Sequence, residues 1–333
     1  MNQQPTEASW IRPLLGRADD MRAEVWVRSA PVAAGVVGAG EALVVSGTLT
    51  GPECFTAATL PTTVPLVDQG HVAGQPPLAR GVCTEPGFWT PELPNLYRAD
   101  VVLRRGVDVA AAGWRMVGLR RLGVRGRSLW LDGRRYVPRG VAFCGTSAEV
   151  ALVRDASAAV IVEAPATAIS SAADRQGVPV IIRLCDSLTR GLTSAGLAEQ
   201  VEAWSAHPSS FLVLLPSDLS AAEVGVVVAA AGRRRGTMLF GWEVDGLKPP
   251  PPTVPAGIDC LVVVLPAAVV PQEDWQAPPG LPLLASVRAG DDGLSSNPAA
   301  ARLQCDAIQA LLAAWASPRS PADRWDWAGY LVS

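Results

Sequence analysis

Residues 88–106 read FWTPELPNLYRADVVLRRG, and residues 114–145 read WRMVGLRRLGVRGRSLWLDGRRYVPRGVAFCG. Two prolines and an asparagine within residues 89–97 are typical of a turn that leads into a strand. Apolar residues alternate with polar ones over residues 98–104, which predicts a half-buried strand. Asp132-Gly133 predicts the tip of a β-hairpin. Together these features predict the end of one domain and the start of another.

This series of features resembles glycoside hydrolase family 2, which contains β-galactosidases, β-glucuronidases and β-mannosidases. In that family an immunoglobulin-like sandwich ends in W-x-P-E-x-P-x-L-Y. The chain then passes through a G-x-R segment and a hairpin, and it enters a TIM barrel at R-G-V. The matching segments of this chain are Trp89–Tyr97, Gly118–Arg120, the hairpin at 129–136 and Arg139–Val141.

The predicted fold class is multi-domain, with an immunoglobulin-like β-sandwich followed by a trimmed (β/α)8 TIM barrel. Residues 1–21 are predicted to form an N-terminal arm. Short β-rich segments with turn residues between them predict the sandwich over 22–117. Over 118–333 eight apolar strand candidates alternate with helical segments, as in a barrel. The proline-rich segment 246–257 predicts a loop where a helix is expected.

The barrel elements have definite predicted positions. The strand candidates are 140–144, 159–163, 179–185, 211–215, 238–242, 260–265, 283–287 and 327–332, and the helix candidates are 166–176, 194–206, 220–235 and 298–316.

The resemblance implies an acid/base glutamate in an Asn-Glu pair after the fourth barrel strand. The family's His-Pro-Ser start is present at His207–Ser209, but Ser217-Asp218 stands at the Asn-Glu position. Asp218 therefore keeps a carboxylate that is one methylene shorter. Ser217 replaces the asparagine that binds the sugar 2-hydroxyl in the family.

Two further catalytic sites of the family do not match. The nucleophile is expected in a Ser-Glu-aromatic-Gly segment on the seventh strand, but Val287 follows Ser286 here, and a valine cannot attack an anomeric carbon. The family's arginine and histidine near the second strand are missing, whereas the Ala-Asp-x-x-Gly segment that follows is retained at 173–177. The scaffold residues match and the chemical residues do not.

Two functions remain open at this stage. The first is a catalytically inactive family member, a pseudoenzyme, that acts as a binding or structural subunit. The second is an active O-glycosyl hydrolase with relocated carboxylates. Retaining hydrolysis needs two carboxylates about 5–5.5 Å apart, and inverting hydrolysis needs them about 6.5–9.5 Å apart. Asp218 and Glu243 are the first candidate pair because their strands are neighbours. Taken singly, each acid also fits a solvated loop position or an arginine partner.

Other residues near predicted strand ends are candidates for substrate binding. Glu163 and Asp186 follow the second and third strands, and Trp242 and Trp327 could stack on a sugar ring. Burial in the core or at an interface is the alternative interpretation of both tryptophans.

The amino-acid composition excludes several classes of function. The chain has 333 residues, of which 49% are hydrophobic and 18% charged, so a large core is expected. A net charge of −3 gives no basis for nucleic-acid binding. The six cysteines are scattered and no glycine motif for phosphate is present, so neither a metal nor a cofactor is predicted.

Without a secretory signal or transmembrane run, a cytoplasmic protein is expected. Carbohydrate is the candidate ligand, and eleven tryptophans favour a homo-oligomer or a subunit of a larger assembly.

Overall fold

A computed structural model describes residues 7–29, 43–70, 75–184, 194–231, 237–271, 280–288, 297–316 and 327–333. The chain divides into two compact units. The first contains Met1–Arg120 with Ala206–Pro208, and the second contains Arg121–Ser205 with Ser209–Ser333. The domain boundary predicted at 117/118 lies three residues before the division at 120/121.

The first unit is a curled antiparallel sheet with the strand order β1-β2-β5-β4-β3-β6-β7. Its strands are β1 Ile11–Ala18, β2 Arg22–Ser29, β3 Leu43–Glu53, β4 Thr62–Asp68, β5 Leu78–Thr84, β6 Leu96–Arg105 and β7 Asp108–Val117. Alternation selects the buried face: Ala23, Val25 and Val27 of β2 are at most 1% exposed, whereas the residues between them lie on the other face. The buried residues form one apolar cluster inside the curl.

The predicted N-terminal arm is wrong over residues 11–18, which form strand β1. This strand pairs with β2 from Ile11 opposite Ser29 to Ala18 opposite Ala23, and Ile11 is fully buried. Pro13 and Gly16 obscure the strand in the sequence because both residues are uncommon in strand interiors. A Cβ atom at position 16 would lie 2.6 Å from the Trp26 Nε1 atom, so a larger residue there would have to displace the Trp26 side chain.

The second unit is a closed barrel of eight parallel strands, as predicted. Its strands are β11 Arg139–Ala142, β12 Ala159–Val162, β13 Val180–Arg183, β14 Ser210–Leu215, β15 Leu239–Asp245, β16 Cys260–Leu265, β17 Leu283–Val287 and β18 Trp327–Val332. Its helices are α1 Val150–Asp155, α2 Thr167–Gln176, α3 Ser194–Ser205, α4 Ala221–Ala231 and α5 Pro298–Ala316, and a short 3-10 helix spans Ser147–Glu149.

The predicted barrel elements agree closely with these bounds, and only α1 and the 3-10 turn before it were not predicted. Residues 246–259 connect β15 to β16 without a helix, as the proline run indicates. The helices of the described residues cannot span a bilayer, since none is both long enough and apolar enough.

A three-stranded sheet precedes the barrel in the second unit. It consists of β8 Leu122–Arg125, β9 Ser128–Leu131 and β10 Arg134–Tyr136. The predicted Asp132-Gly133 turn joins β9 to β10, and both residues have positive φ angles of 48° and 73°. Leu129 and Leu131 pack among the interior residues at the beginning of the barrel strands. The little sheet therefore closes the amino-terminal end of the barrel, opposite the mouth.

Candidate functional site

Polar side chains gather inside the barrel where the strands end. Two residues that pair in register on neighbouring parallel strands point to the same face of the sheet. The environment of one residue therefore shows which face its partner occupies. Arg183 lies opposite Leu214, Glu243 opposite Val262, and Ser286 opposite Leu331. All three partners belong to the interior apolar cluster. Arg183, Glu243 and Ser286 therefore face the interior from alternate strands, which is how side-chain layers form in such barrels.

Glu243 is the centre of this polar group. Arg183 Nε donates to Glu243 Oε1 at 2.9 Å, and Arg183 Nη2 lies 2.9 Å from the same oxygen. Arg288 Nη2 lies 3.9 Å from the other oxygen, Oε2. The Glu243 side chain is 2% exposed, whereas the side chains of Arg183 and Arg288 are 21% and 64% exposed. A buried carboxylate requires such a partner, because desolvation of an unpaired charge is costly.

The pairing limits what Glu243 can do chemically. Arg183 hydrogen-bonds Oε1 through Nε and brings the positive charge of Nη2 to 2.9 Å from the same oxygen. A nucleophile or a proton acceptor has to direct a lone pair at the substrate. Oε1 is therefore committed to the scaffold, and Oε2 faces Arg288.

The seventh strand contributes a hydroxyl but no acid. Ser286 is fully buried, and its Oγ has no hydrogen-bond partner among the described residues. Val287 lies opposite Val332, which belongs to the apolar layer outside the strands, and packs against that layer. The position at which a nucleophilic glutamate is expected thus points away from the barrel interior.

The remaining predicted acids lie at the rim or outside the described residues. Ser217 and Asp218 are exposed in the turn that follows β14, and Glu163 is exposed just after β12. A further acid, Asp245, ends β15, where its carboxylate accepts from the Leu247 backbone N–H at 2.9 Å and lies 3.4 Å from Lys248 Nζ. Asp186 falls outside the described residues. The structure places Glu243 among arginines and leaves Asp218 in solvent.

Trp242 and Trp327 lie outside the barrel mouth. Trp242 is 7% exposed, and it pairs in register with Leu215 and Leu261 of the outer apolar layer. Trp327 is 5% exposed in the same layer, and it begins β18, at the end of the barrel opposite the mouth. These positions agree with the packing interpretation of both residues.

Sequence reasoning missed Arg183 and Arg288. Each is an arginine at or just beyond the end of an apolar strand, after Val-Ile-Ile and after Leu-Leu-Ala-Ser-Val. A charge in that position is a signal for a buried partner, because arginine is almost never fully buried unless paired.

The retained Ala-Asp-x-x-Gly segment has a structural role. Asp174, on α2, is 4% exposed, and its Oδ1 accepts hydrogen bonds from Ser209 N at 2.9 Å and Ser209 Oγ at 2.6 Å. This contact fixes the start of β14. In the first unit, His207 Nε2 lies 3.2 Å from Arg115 Nη2.

No cluster of three or more histidine, cysteine, aspartate or glutamate side chains suited to a metal ion occurs within the described ranges.

Comparison with known proteins relates this fold to glycosidases. No protein-family model matches the chain. A β-galactosidase of Klebsiella pneumoniae is 38% identical over 92 residues, which are 27% of this chain and 9% of the β-galactosidase. The β-glucuronidase of Bacteroides uniformis superposes with a TM-score of 0.63 at 14% identity, covering 97% of this chain and 45% of that one. A glycosyl hydrolase family 2 member from Bacteroides cellulosilyticus DSM 14838 has a TM-score of 0.63 at 14% identity, covering 98% and 45%.

A putative β-galactosidase from Bacteroides fragilis gives a TM-score of 0.61 at 15% identity and covers 97% of this chain and 54% of that chain. The chain thus spans about half the length of these solved structures and a tenth or less of the curated relative by matched residues. The neighbours confirm, at the level of the fold, the resemblance to glycoside hydrolase family 2 that residues 88–145 indicate.

Proposed function

We propose that this protein is a catalytically inactive relative of the family 2 glycosidases that serves as a binding or structural subunit. The main supporting observation is the arrangement of side chains at the mouth of the barrel. Its buried carboxylate, Glu243, is occupied by Arg183, and the residue after Ser286 is a valine that faces the helices. Retaining and inverting hydrolysis both need two carboxylates aimed at the glycosidic bond.

Further features support a relationship by descent rather than a shared fold alone. The ordered motifs over 88–145 coincide with the passage between the two units. In this proposal the curled sheet corresponds to the immunoglobulin-like sandwich of the family. Asp174 and Ser209 are retained because they build the barrel, whereas the residues of the reaction have been replaced.

Hydrolysis of aryl β-glycosides tests the proposal directly. The purified chain, an Asp218→Asn variant and a Glu243→Gln variant are incubated with the aryl galactoside, glucoside, glucuronide and mannoside. We expect all three proteins to release phenol at the rate of the buffer blank. The same panel is run with an active β-glucuronidase to show that the assay detects turnover.

Turnover by the wild-type chain that Asp218→Asn abolishes would contradict the proposal. It would support the alternative, an active glycosidase in which Asp218 is the acid/base and the second carboxylate has been relocated. Turnover that Glu243→Gln also abolishes would identify Glu243 as that second carboxylate. Binding of the corresponding free sugars, measured by calorimetry, then separates a carbohydrate-binding subunit from a purely structural one.

A further inference from the structure

A second concavity lies in the barrel unit, at the end opposite the mouth. It is a cavity of about 340 Å³ between α5 and the strands at which the barrel closes, and Arg139 and Trp327 are the first residues of β11 and β18. Its walls include Arg135, Arg139, Gln309, Ala313, Trp327 and Tyr330. The volume is at the lower end of the range of roughly 300–1,000 Å³ for small-molecule sites.

The guanidinium of Arg139 is held in place on three sides. Its Nε donates to Asp306 Oδ1 at 3.1 Å, Nη1 to the Val137 carbonyl at 3.3 Å, and Nη2 to Gln309 Oε1 at 2.5 Å. A guanidinium has five N–H groups, so one remains on each terminal nitrogen. Two donors on one planar group match the two oxygens of a carboxylate. Arg139 is therefore pre-oriented to take a carboxylate without first losing side-chain freedom.

The charged residues that are described along the cavity wall are basic. Arg135 and Arg139 line it, and the described lining residues include no acid. The carboxylate of Asp306, which contacts Arg139, is shared between Arg302 at 2.5 Å and Arg139 at 3.1 Å. The hydrogen bond from Arg302, followed by that from Arg139, lowers the pKa of Asp306 although partial burial opposes the shift. Arg139 and Arg302 thus share one carboxylate, Asp306, and an anion bound at Arg139 would offset the remaining positive charge of this pair.

The rest of the wall is apolar and partly aromatic. Trp327, Tyr330 and Leu312 of α5 also line the cavity. The Arg139 guanidinium lies 5.7 Å from the centroid of the Tyr330 ring. A flat ring packs well against such surfaces, and a single ring suits the volume. We propose that this cavity binds a small aromatic carboxylate, with its carboxylate on Arg139 and its ring against Trp327 and Tyr330.

Titration calorimetry of the full chain with benzoate tests the inference, and benzamide serves as the neutral probe of the same shape. We expect saturable benzoate binding with a dissociation constant on the order of millimolar, as is usual for ligands of this size. Benzamide should bind at least about tenfold more weakly, because it cannot accept a charge-assisted pair of hydrogen bonds.

Two variants locate the site. Arg139→Met removes the guanidinium, and Ala313→Phe fills the cavity from an exposed position on α5. Each should weaken benzoate binding by at least about tenfold. Ala310→Phe is the matched control, since Ala310 is exposed on the same helix and does not line the cavity. It should bind benzoate as the wild-type chain does.

The possible results of the benzoate experiments distinguish binding at this cavity from binding elsewhere. Absence of saturable benzoate binding at about twenty millimolar overturns the proposal. Equal binding by all variants places the ligand elsewhere and also overturns it, and equal affinity for benzamide overturns the role of Arg139. If Arg139→Met does not fold, Ala313→Phe against Ala310→Phe decides the question, because neither change removes a buried side chain. None of these results depends on whether the barrel mouth is catalytic.

Discussion

Arg183 Nε donates to Glu243 Oε1 at 2.9 Å, which connects β13 to β15 across the barrel interior over a separation of 60 residues. Both side chains belong to a layer in which apolar residues would be expected to meet. A buried ion pair is stable only when its hydrogen bonds offset the desolvation of both charges. The geometry meets that condition for Glu243, and it makes the two residues mutually dependent.

Arg183→Met should therefore be strongly destabilising. The change leaves the Glu243 carboxylate 2% exposed with only Arg288 at 3.9 Å, so we expect a loss of about 3–5 kcal/mol in the free energy of unfolding. Urea denaturation followed by circular dichroism measures it. Arg288→Ala is the control, because this side chain is 64% exposed and surface ion pairs contribute about 0–1 kcal/mol.

The double variant Arg183→Met/Glu243→Leu completes that test. Because it removes both charges, it should recover most of the stability that Arg183→Met loses. If Arg183→Met proves as mild as Arg288→Ala, the ion pair does not form as described.

Val287→Glu should not create a nucleophile. The side chain at this position packs against the apolar layer outside the strands, so a glutamate would be placed among helices rather than at the mouth. We expect aryl-glycoside turnover to remain at the blank, with a loss of stability of about 1–3 kcal/mol from the charge placed at this partly buried position. Val287→Thr, which is similar in shape, is the control. Measurable hydrolysis by Val287→Glu would show that position 287 can face the substrate.

Asp174→Ala should destabilise the barrel unit more than Ser209→Ala does. Asp174 Oδ1 accepts two hydrogen bonds from Ser209, one from the backbone and one from the hydroxyl. Removing the acceptor leaves a buried N–H and hydroxyl unpaired, at about 1–3 kcal/mol each, whereas removing the hydroxyl breaks one bond. Thermal unfolding of both variants measures the difference. Equal losses would indicate that the backbone hydrogen bond contributes little.

Cysteine reactivity provides a check on burial in both units. Cys144 is exposed, whereas Cys83, Cys260 and Cys305 are buried. Burial raises the pKa of Cys305 to about 12, so its thiolate is scarce at about pH 8, and the thiolate is the reactive form. We expect iodoacetamide to modify Cys144 in the native protein and to spare the three buried cysteines until urea is added. Peptide mass spectrometry distinguishes the sites, and labelling of Cys305 as fast as Cys144 would contradict the fold.

Alkaline stability should depend on Tyr97. The pKa of the Tyr97 phenol is raised, and burial is the largest cause. The phenol oxygen accepts a hydrogen bond from Gly87 N at 2.8 Å. A tyrosine in the unfolded chain ionises near about pH 10. Since the folded pKa is the higher one, the stabilising contribution is present below about pH 10 and is lost as the pH rises further.

Above about pH 10, this one group lowers the free energy of unfolding by about 1.4 kcal/mol per pH unit. Tyr97→Phe should lower stability at neutral pH by removing the hydrogen bond, but it should flatten the decline above about pH 10. Urea unfolding at several alkaline pH values measures both effects. The same change at Tyr136, which is only partly buried, serves as the control, and a parallel decline in wild type and Tyr97→Phe would contradict the argument.

Local patterns predicted much of the fold. Strands at 260–265, 283–287 and 327–332 and the helix at 298–316 have the bounds that the sequence indicates. These segments are long, strongly apolar or strongly periodic, so the information that defines them lies within a few residues of each other. The same holds for the Asp132-Gly133 hairpin and for the missing helix at 246–259. Strand β1 was missed because Pro13 and Gly16 interrupt its pattern, and only pairing with β2 makes it a strand.

The sequence by itself therefore determined the alternation of strands and helices in the barrel and the absence of a glutamate after Ser286. Tertiary structure decided which face of each barrel strand carries which side chain. Whether Trp242 meets solvent or helices depends on the pairing register of its whole strand, and whether Glu243 is free depends on an arginine 60 residues away. Such facts arise from contacts between distant segments, which short-range alternation and propensity do not encode.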